Sequence, residues 1–134
     1  VKDLFKTSKG KYVVPVPIEN RFNHPMAEVV CVAGANQPQP CLMLLLSEEA
    51  RAALDSGMDR NALEQELAQE LESVNADCES HEKVAFLVVV KEPWSMENGM
   101  LTPTMKIKRN VIEEFYRQKM DTWFAENRQV VWEF

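Results

Sequence analysis

The sequence has few of the features that mark membrane, metal-binding and disulfide-rich proteins. Its longest apolar run, residues 84–90, has seven residues, whereas a membrane-spanning helix needs about 20. Its three cysteines are an odd number with no CxxC pair, and its two histidines, His24 and His81, lie far apart. We therefore expect no transmembrane segment, no metal site, and reduced, inert thiols in an intracellular protein.

The chain also lacks a long basic tract. No basic run exceeds the pair Lys108-Arg109, and the net charge is −6, which argues against a general nucleic-acid binder. No charged-then-apolar stretch opens the chain, so we expect no signal peptide. The first residue is Val1 and not Met, which fits an excised part of a longer protein. The 134 residues, 46% of them hydrophobic, suffice for one folded domain.

The negative charge is concentrated in one block of the sequence. Residues 47–82 carry eleven acidic and two basic side chains, a local charge of −9. Residues 1–24 carry five basic and two acidic side chains, and residues 99–109 carry three basic and no acidic ones, so each has a charge of +3. An acidic helical block is typical of a solvated face. The two basic segments are therefore the better candidates for binding an anion.

The pattern of apolar residues and turn residues predicts an α+β fold. We expect an N-terminal two-stranded hairpin followed by a small three-stranded sheet with helices on both faces, because the three body strands are apolar throughout. Ser47 and Asp59 are predicted N-caps, and Asn110 with Glu113 fits a capping box. The predicted hairpin strands are residues 2–6 and 12–14, the body strands 28–33, 42–46 and 84–90, and the helices begin at residues 17, 47, 59 and 110.

Two segments are candidates for contact with an anion. In residues 101–109, Lys106, Lys108 and Arg109 directly precede the start of a predicted helix, where cations are unfavourable unless an anion joins them. In residues 6–11, Lys6, Lys9 and Lys11 surround a turn at Gly10, which we expect to supply either a positive φ or a close backbone approach. A solvated basic loop is the alternative interpretation of each segment. Residues 6–11 do not form a P-loop, because the GxxxxGK[ST] pattern is absent.

Together, in this order and spacing, the two segments resemble the C-terminal domain of AMP-forming, long-chain fatty-acid CoA ligases in the adenylate-forming superfamily. Residues 1–6 (VKDLFK), 10–15 (GKYVVP) and 18–19 (IE) are similar to the hinge motif of that family, whose arginine would precede Val1. Residues 101–109 (LTPTMKIKR) are similar to its late lysine motif, although Met105 stands where many members have glycine. Gly34, after an apolar strand, fits the strand end of the family. The resemblance covers essentially the whole chain.

The resemblance implies a function for the parent enzyme. Such enzymes activate a carboxylic acid with ATP and magnesium to an acyl-adenylate, and then rotate the C-terminal domain and transfer the acyl group to coenzyme A. By resemblance, Lys106 is the catalytic lysine of adenylation and Lys2 is the hinge. Lys9, Gly10 and Lys11 form the loop that faces coenzyme A in the thioester-forming state. Further phosphate contacts are assigned to Lys6, Lys108 and Arg109, whereas Glu19 is expected to be structural.

The resemblance also implies how the chain is organised. Residues 1–15 would be hinge and hairpin, residues 16–134 the helix–sheet body, and the N-terminal catalytic domain would be the partner that binds fatty acid, nucleotide and magnesium. The fragment alone is expected to fold but to be inactive. We expect a cytoplasmic location, with peripheral membrane attachment of the parent enzyme left open.

Other interpretations of the sequence remain open at this point. An acyl-AMP ligase that feeds a carrier protein, or an aryl-acid CoA ligase, would share this domain. A stand-alone anion-binding module is the rival from another class, and RNA binding through the basic ends is a weaker one, because the acidic block opposes it. The sequence leaves the acyl chain length and the acceptor undetermined.

Overall fold

A computed structural model describes residues 3–134 of the chain. The elements in chain order are β1 (Phe5–Lys6), β2 (Tyr12–Val13), α1 (Pro15–Arg21), β3 (Ala27–Ala33), β4 (Cys41–Leu46), α2 (Glu48–Asp55), α3 (Arg60–Ala76), a 3-10 turn (Ser80–Glu82), β5 (Leu87–Val89), α4 (Arg109–Glu126) and β6 (Val130–Trp132). None of the helices described is long and apolar enough to cross a membrane.

The α+β architecture predicted from the sequence is confirmed, with one more strand than expected. The hairpin β1–β2 is antiparallel, and the main sheet has the order β3-β4-β5-β6. β3 and β4 pair antiparallel across the 34–40 link, as predicted, whereas β5 pairs in parallel with β4 and with β6. The prediction of three body strands was wrong in number, since it missed β6. This strand has only three residues and follows α4 closely, so its sequence shows no strand pattern of its own.

The main sheet has an apolar core on each face. Successive side chains of a strand point to opposite faces, so Leu42 and Leu44 of β4 enter one core and Met43 and Leu45 enter the other. The first core packs the sheet against the hairpin and the helices α1, α2 and α3. The second core packs it against α4 and the 94–101 segment. The helices therefore cover both faces, as the apolar strands predicted.

The predicted N-caps agree with the structure at two of three positions, and the first helix, predicted to begin at residue 17, begins at Pro15. The Ser47 hydroxyl accepts from the backbone N–H of Ala50, and the Asp59 carboxylate accepts from that of Asn61. The predicted capping box at Asn110 is wrong, because α4 already begins at Arg109 and Lys108 is its N-cap without a side-chain bond. The reason is tertiary: Arg109, the first residue of α4, is buried and is held by the distant carboxylates of Asp3 and Glu19.

Candidate functional site

The hairpin tip forms a tight turn that we call the first lysine turn, residues 7–11. The backbone N–H of Thr7 donates to the Lys11 carbonyl at 2.8 Å, and that of Gly10 donates to the Thr7 carbonyl at 3.0 Å. Gly10 has φ +81°, one of the two expected alternatives, and nothing lies within 4 Å of the place where a Cβ would stand. The turn therefore needs glycine for its backbone conformation, and the side facing solvent is open.

The tip of the hairpin is fastened to the link between β3 and β4. The backbone N–H of Ser8 donates to the Gln37 carbonyl at 2.9 Å, and that of Asn36 donates to the Lys6 carbonyl at 3.0 Å. The Gln37 side chain in turn donates to Asp121 of α4 at 3.0 Å. Lys6, Lys9 and Lys11 are all exposed on this anchored turn.

Lys106 lies on a second tight turn, the second lysine turn, residues 102–106. Leu101 and Ile107 form an antiparallel bridge at its base. The backbone N–H of Thr102 donates to the Lys106 carbonyl at 2.7 Å, and that of Met105 donates to the Thr102 carbonyl at 2.8 Å. Met105 has φ +65°, a left-handed conformation that is easiest for glycine.

The side chains of both lysine turns are available to a ligand. Lys11 and Lys106 are exposed, and neither forms an ion pair with any of residues 3–134. Lys108 is also exposed and is the N-cap of α4. Lys2, the predicted hinge residue, lies outside the described residues.

The two lysine turns belong to opposite faces of the main sheet. Phe5 and Val13, which flank the first turn, pack in the first core, whereas Leu101 at the base of the second turn packs in the second core. The bases of the two turns are therefore anchored in different cores. Each face of the sheet carries its own basic turn.

Arg109, which the sequence offered as a phosphate contact, is instead part of the folded framework. Only 7% of the residue is exposed. Its guanidinium donates to the Asp3 carboxylate at 3.0 Å and to the Val32 carbonyl at 2.8 Å, and it forms an ion pair with Glu19. Burial alone would lower the pKa of Arg109, but hydrogen bonds to Glu19 and Asp3 raise it above its ordinary value. The phosphate-contact assignment is therefore corrected at this residue.

The Glu19–Arg109 pair is a feature that the sequence analysis missed. The Glu19 carboxylate also accepts from the backbone N–H of Val32 at 2.7 Å, so it joins α1, β3 and α4 and has the structural role expected of it. No local pattern links two residues that are 90 positions apart. The only signal was that Glu19 is the one acidic residue between positions 4 and 27.

The cysteines and carboxylates of the described chain form no site of their own. Burial raises the pKa of the Cys31 and Cys41 thiols, so both stay protonated and unreactive at neutral pH. Within residues 3–134, no group of three His, Cys, Asp or Glu side chains is arranged to hold a metal ion. The exposed lysines of the two turns therefore remain the candidate groups for binding a ligand.

Comparison with known proteins identifies the class to which this fold and these turns belong. Residues 2–128 match the family model described as the AMP-binding enzyme C-terminal domain. The chain belongs to this family, and it is the C-terminal domain of an adenylate-forming enzyme.

Individual relatives are ligases of long-chain fatty acids. The chain is 26% identical over 125 residues to a chloroplastic long-chain-fatty-acid–[acyl-carrier-protein] ligase of Arabidopsis thaliana, covering 92% of this chain and 17% of the relative. It is 25% identical over 137 residues to long-chain-fatty-acid–CoA ligase 5 of Rattus norvegicus, covering 92% of this chain and 20% of the relative. The chain thus spans about a fifth of the length of the curated relatives it matches.

Solved structures share the fold. The didomain of a carboxylic acid reductase from Segniliparus rugosus in complex with AMP matches with a TM-score of 0.71 and 21% identity, over 93% of this chain and 18% of that one. The adenylation domain of a carboxylate reductase from Mycobacterium chelonae matches with a TM-score of 0.71 and 21% identity, over 91% and 19%.

Proposed function

We propose that this chain is the mobile C-terminal domain of a long-chain fatty-acid CoA ligase. The parent enzyme activates a fatty acid with ATP to an acyl-adenylate and transfers the acyl group to coenzyme A. In this proposal the large N-terminal domain binds the fatty acid, the nucleotide and magnesium, and this domain supplies lysines to both half-reactions.

The observation that carries the proposal is the placement of two anchored lysine turns on opposite faces of one sheet. A rigid domain built in this way presents one turn to a cleft in one orientation and the other turn after a rotation. We assign the rotation to the backbone at Lys2, where the resemblance to the family puts the hinge.

Lys106 is proposed as the catalytic lysine of adenylation. A carboxylate that attacks the α-phosphate of ATP brings two anions together and builds up charge between them. One ammonium that bridges both groups stabilises the transition state more than the separated reactants. The exposed Nζ of Lys106, on a turn braced by two backbone hydrogen bonds, suits this role.

The first lysine turn is proposed to face coenzyme A in the second half-reaction. The open space beside Gly10 would let the pantetheine arm lie close to the backbone. The exposed ammonium groups of Lys9 and Lys11 are suited to the phosphates of coenzyme A. Lys6 and Lys108 remain candidates for further phosphate contacts.

The acceptor has one specific alternative. The Arabidopsis relative is a ligase that acts on an acyl-carrier protein, so a carrier-protein thiol is the second candidate acceptor. Both acceptors carry the reacting thiol on a pantetheine arm, and assays of the parent enzyme with each acceptor separate them.

The proposal is tested by measuring the two half-reactions of the parent enzyme separately. Lys106→Ala should slow adenylation by on the order of 10²-fold, while thioester formation from supplied acyl-adenylate changes little. Lys83→Ala, which removes an exposed lysine outside both turns, is the matched control and should leave both rates unchanged. An equal fall in both half-reactions for Lys106→Ala would show that the assigned role is wrong.

A further inference from the structure

The two lysine turns have the same backbone structure, although their sequences, Thr7-Ser8-Lys9-Gly10-Lys11 and Thr102-Pro103-Thr104-Met105-Lys106, share only the threonine and the final lysine. In each, the N–H of the threonine donates to the carbonyl of the final lysine, and the N–H of the fourth residue donates back to the threonine carbonyl. In each, the fourth residue has a positive φ, +81° at Gly10 and +65° at Met105. These are features of the three-residue hairpin loop that closes with a left-handed residue.

The threonine hydroxyl adds the same bond in both turns. The Thr7 Oγ1 accepts from the backbone N–H of Lys11 at 3.3 Å. The Thr102 Oγ1 accepts from the backbone N–H of Lys106 at 3.0 Å. Without the hydroxyl, the lysine N–H at the exposed end of each turn would have only water as a partner.

We propose that Thr7 and Thr102 are matched positioning residues, and that Lys11 is the counterpart in thioester formation of Lys106 in adenylation. The inference rests on the proposed function and goes beyond it, because it singles out Lys11 from the other exposed lysines of the hairpin and adds a residue that orients each ammonium. A lysine side chain is long and flexible, so the direction in which it leaves the backbone decides where its charge is found. The hydroxyl bond fixes that direction by fixing the backbone of the lysine.

Lys9 serves as the internal comparison. It lies in the middle of the first turn, and its backbone N–H takes no part in the threonine bond. If only the turn's net charge mattered, Lys9 and Lys11 would contribute equally to thioester formation. If the repeated geometry matters, Lys11 contributes more.

The geometric part of the inference is tested on the chain itself by amide hydrogen exchange. Thr102→Val should increase the exchange rate of the Lys106 amide and not of the Lys11 amide, and Thr7→Val should do the reverse. Thr102→Ser and Thr7→Ser restore the hydroxyl and should restore protection. Unchanged protection in both valine variants, at an unchanged urea midpoint, would overturn the inference.

The functional part is tested in the parent enzyme. Thr102→Val should slow adenylation about tenfold, which corresponds to the loss of one hydrogen bond, and Thr7→Val should slow thioester formation similarly. The serine variants should recover most of each rate. Ser8→Ala, which removes a neighbouring hydroxyl of the first lysine turn, is the matched control and should change the rate of thioester formation less than twofold.

The outcomes separate the two proposals. If Lys106→Ala and Lys11→Ala impair their half-reactions but the threonine-to-valine variants do not, the positioning role is wrong and the proposed function stands. If Lys9→Ala impairs thioester formation as much as Lys11→Ala, the pairing of Lys11 with Lys106 is wrong. If all three lysine variants are fully active, the proposed function fails and the positioning role fails with it.

Discussion

At the scale of single residues, the buried guanidinium of Arg109 holds together parts of the chain that are far apart in sequence. Glu19 contributes from α1, Val32 from β3 and Asp3 from the segment before the hairpin. The charge is buried with a paired carboxylate, so removing either partner leaves the other desolvated without compensation. This places a structural ion pair three residues after the proposed catalytic lysine.

Arg109→Ala should therefore destabilise the domain by about 3–5 kcal/mol, because Glu19 would remain as an uncompensated, largely buried carboxylate. The free energy of unfolding in urea measures this change. Arg117→Ala removes an arginine from an exposed pair with Glu114 on the same helix and should cost less than about 1 kcal/mol. Similar losses for the two variants would contradict the role given to the buried pair.

The candidate site shows what residue-level patterns can and cannot predict. The exposed lysines and the positive φ of Gly10 followed from local sequence, because a basic tip and a glycine turn are properties of five consecutive residues. The burial of Arg109 did not follow from local sequence, since its partners come from α1, β3 and the segment before the hairpin. In the sequence, the two turns share only the pattern Thr-x-x-x-Lys. This pattern is too common to predict that the turns have the same hydrogen bonds.

At the scale of elements, the link between β3 and β4 determines where the hairpin tip lies. Gln37 in this link accepts from the backbone of Ser8 and donates through its side chain to α4. Gly34 begins the link with φ +142°, and a Cβ there would stand 2.9 Å from the Gln39 carbonyl oxygen. The first lysine turn is thus positioned by a link that itself contains no lysine.

Gly34→Ala should both destabilise the domain and displace the first lysine turn. The added Cβ meets backbone atoms that cannot rotate away, and alanine is strained at this φ, so we expect a loss of about 2 kcal/mol or more. Gly57→Ala is the control, because its φ is also positive at +105° but nothing lies within 4 Å of the added Cβ. Amide exchange at Ser8 measures the displacement, and an unchanged Ser8 amide would contradict the link's positioning role.

Most elements were predictable because their signals are local. The caps at Ser47 and Asp59, the apolar period of α3 and the strands β3 and β4 each depend on a short window of sequence. β6 and the start of α4 were not predictable in this way. β6 is stabilised by its pairing with β5, and the start of α4 is set by the burial of Arg109. Both features therefore depend on tertiary contacts.

At the scale of the whole molecule, two cores on one sheet make a rigid body with a basic turn on each face. The net charge of −6 hides this arrangement, because the acidic residues of the 47–82 block outweigh both basic segments. Each exposed ammonium group by itself attracts an anion only weakly, because water and salt screen its charge. In the proposed function, their effect on catalysis requires a second domain that holds the reacting anions at a fixed distance and excludes solvent.

The isolated chain should therefore unfold cooperatively but catalyse neither half-reaction. The structure gives it a complete pair of cores, which predicts a single unfolding transition with coincident midpoints by circular dichroism and tryptophan fluorescence. Pyrophosphate release and acyl-CoA formation should both stay at the uncatalysed level, whereas the parent enzyme under the same conditions should show both. Acyl-CoA formation by the isolated chain would contradict the division of labour proposed here, because it would place the binding of fatty acid and nucleotide within these 134 residues.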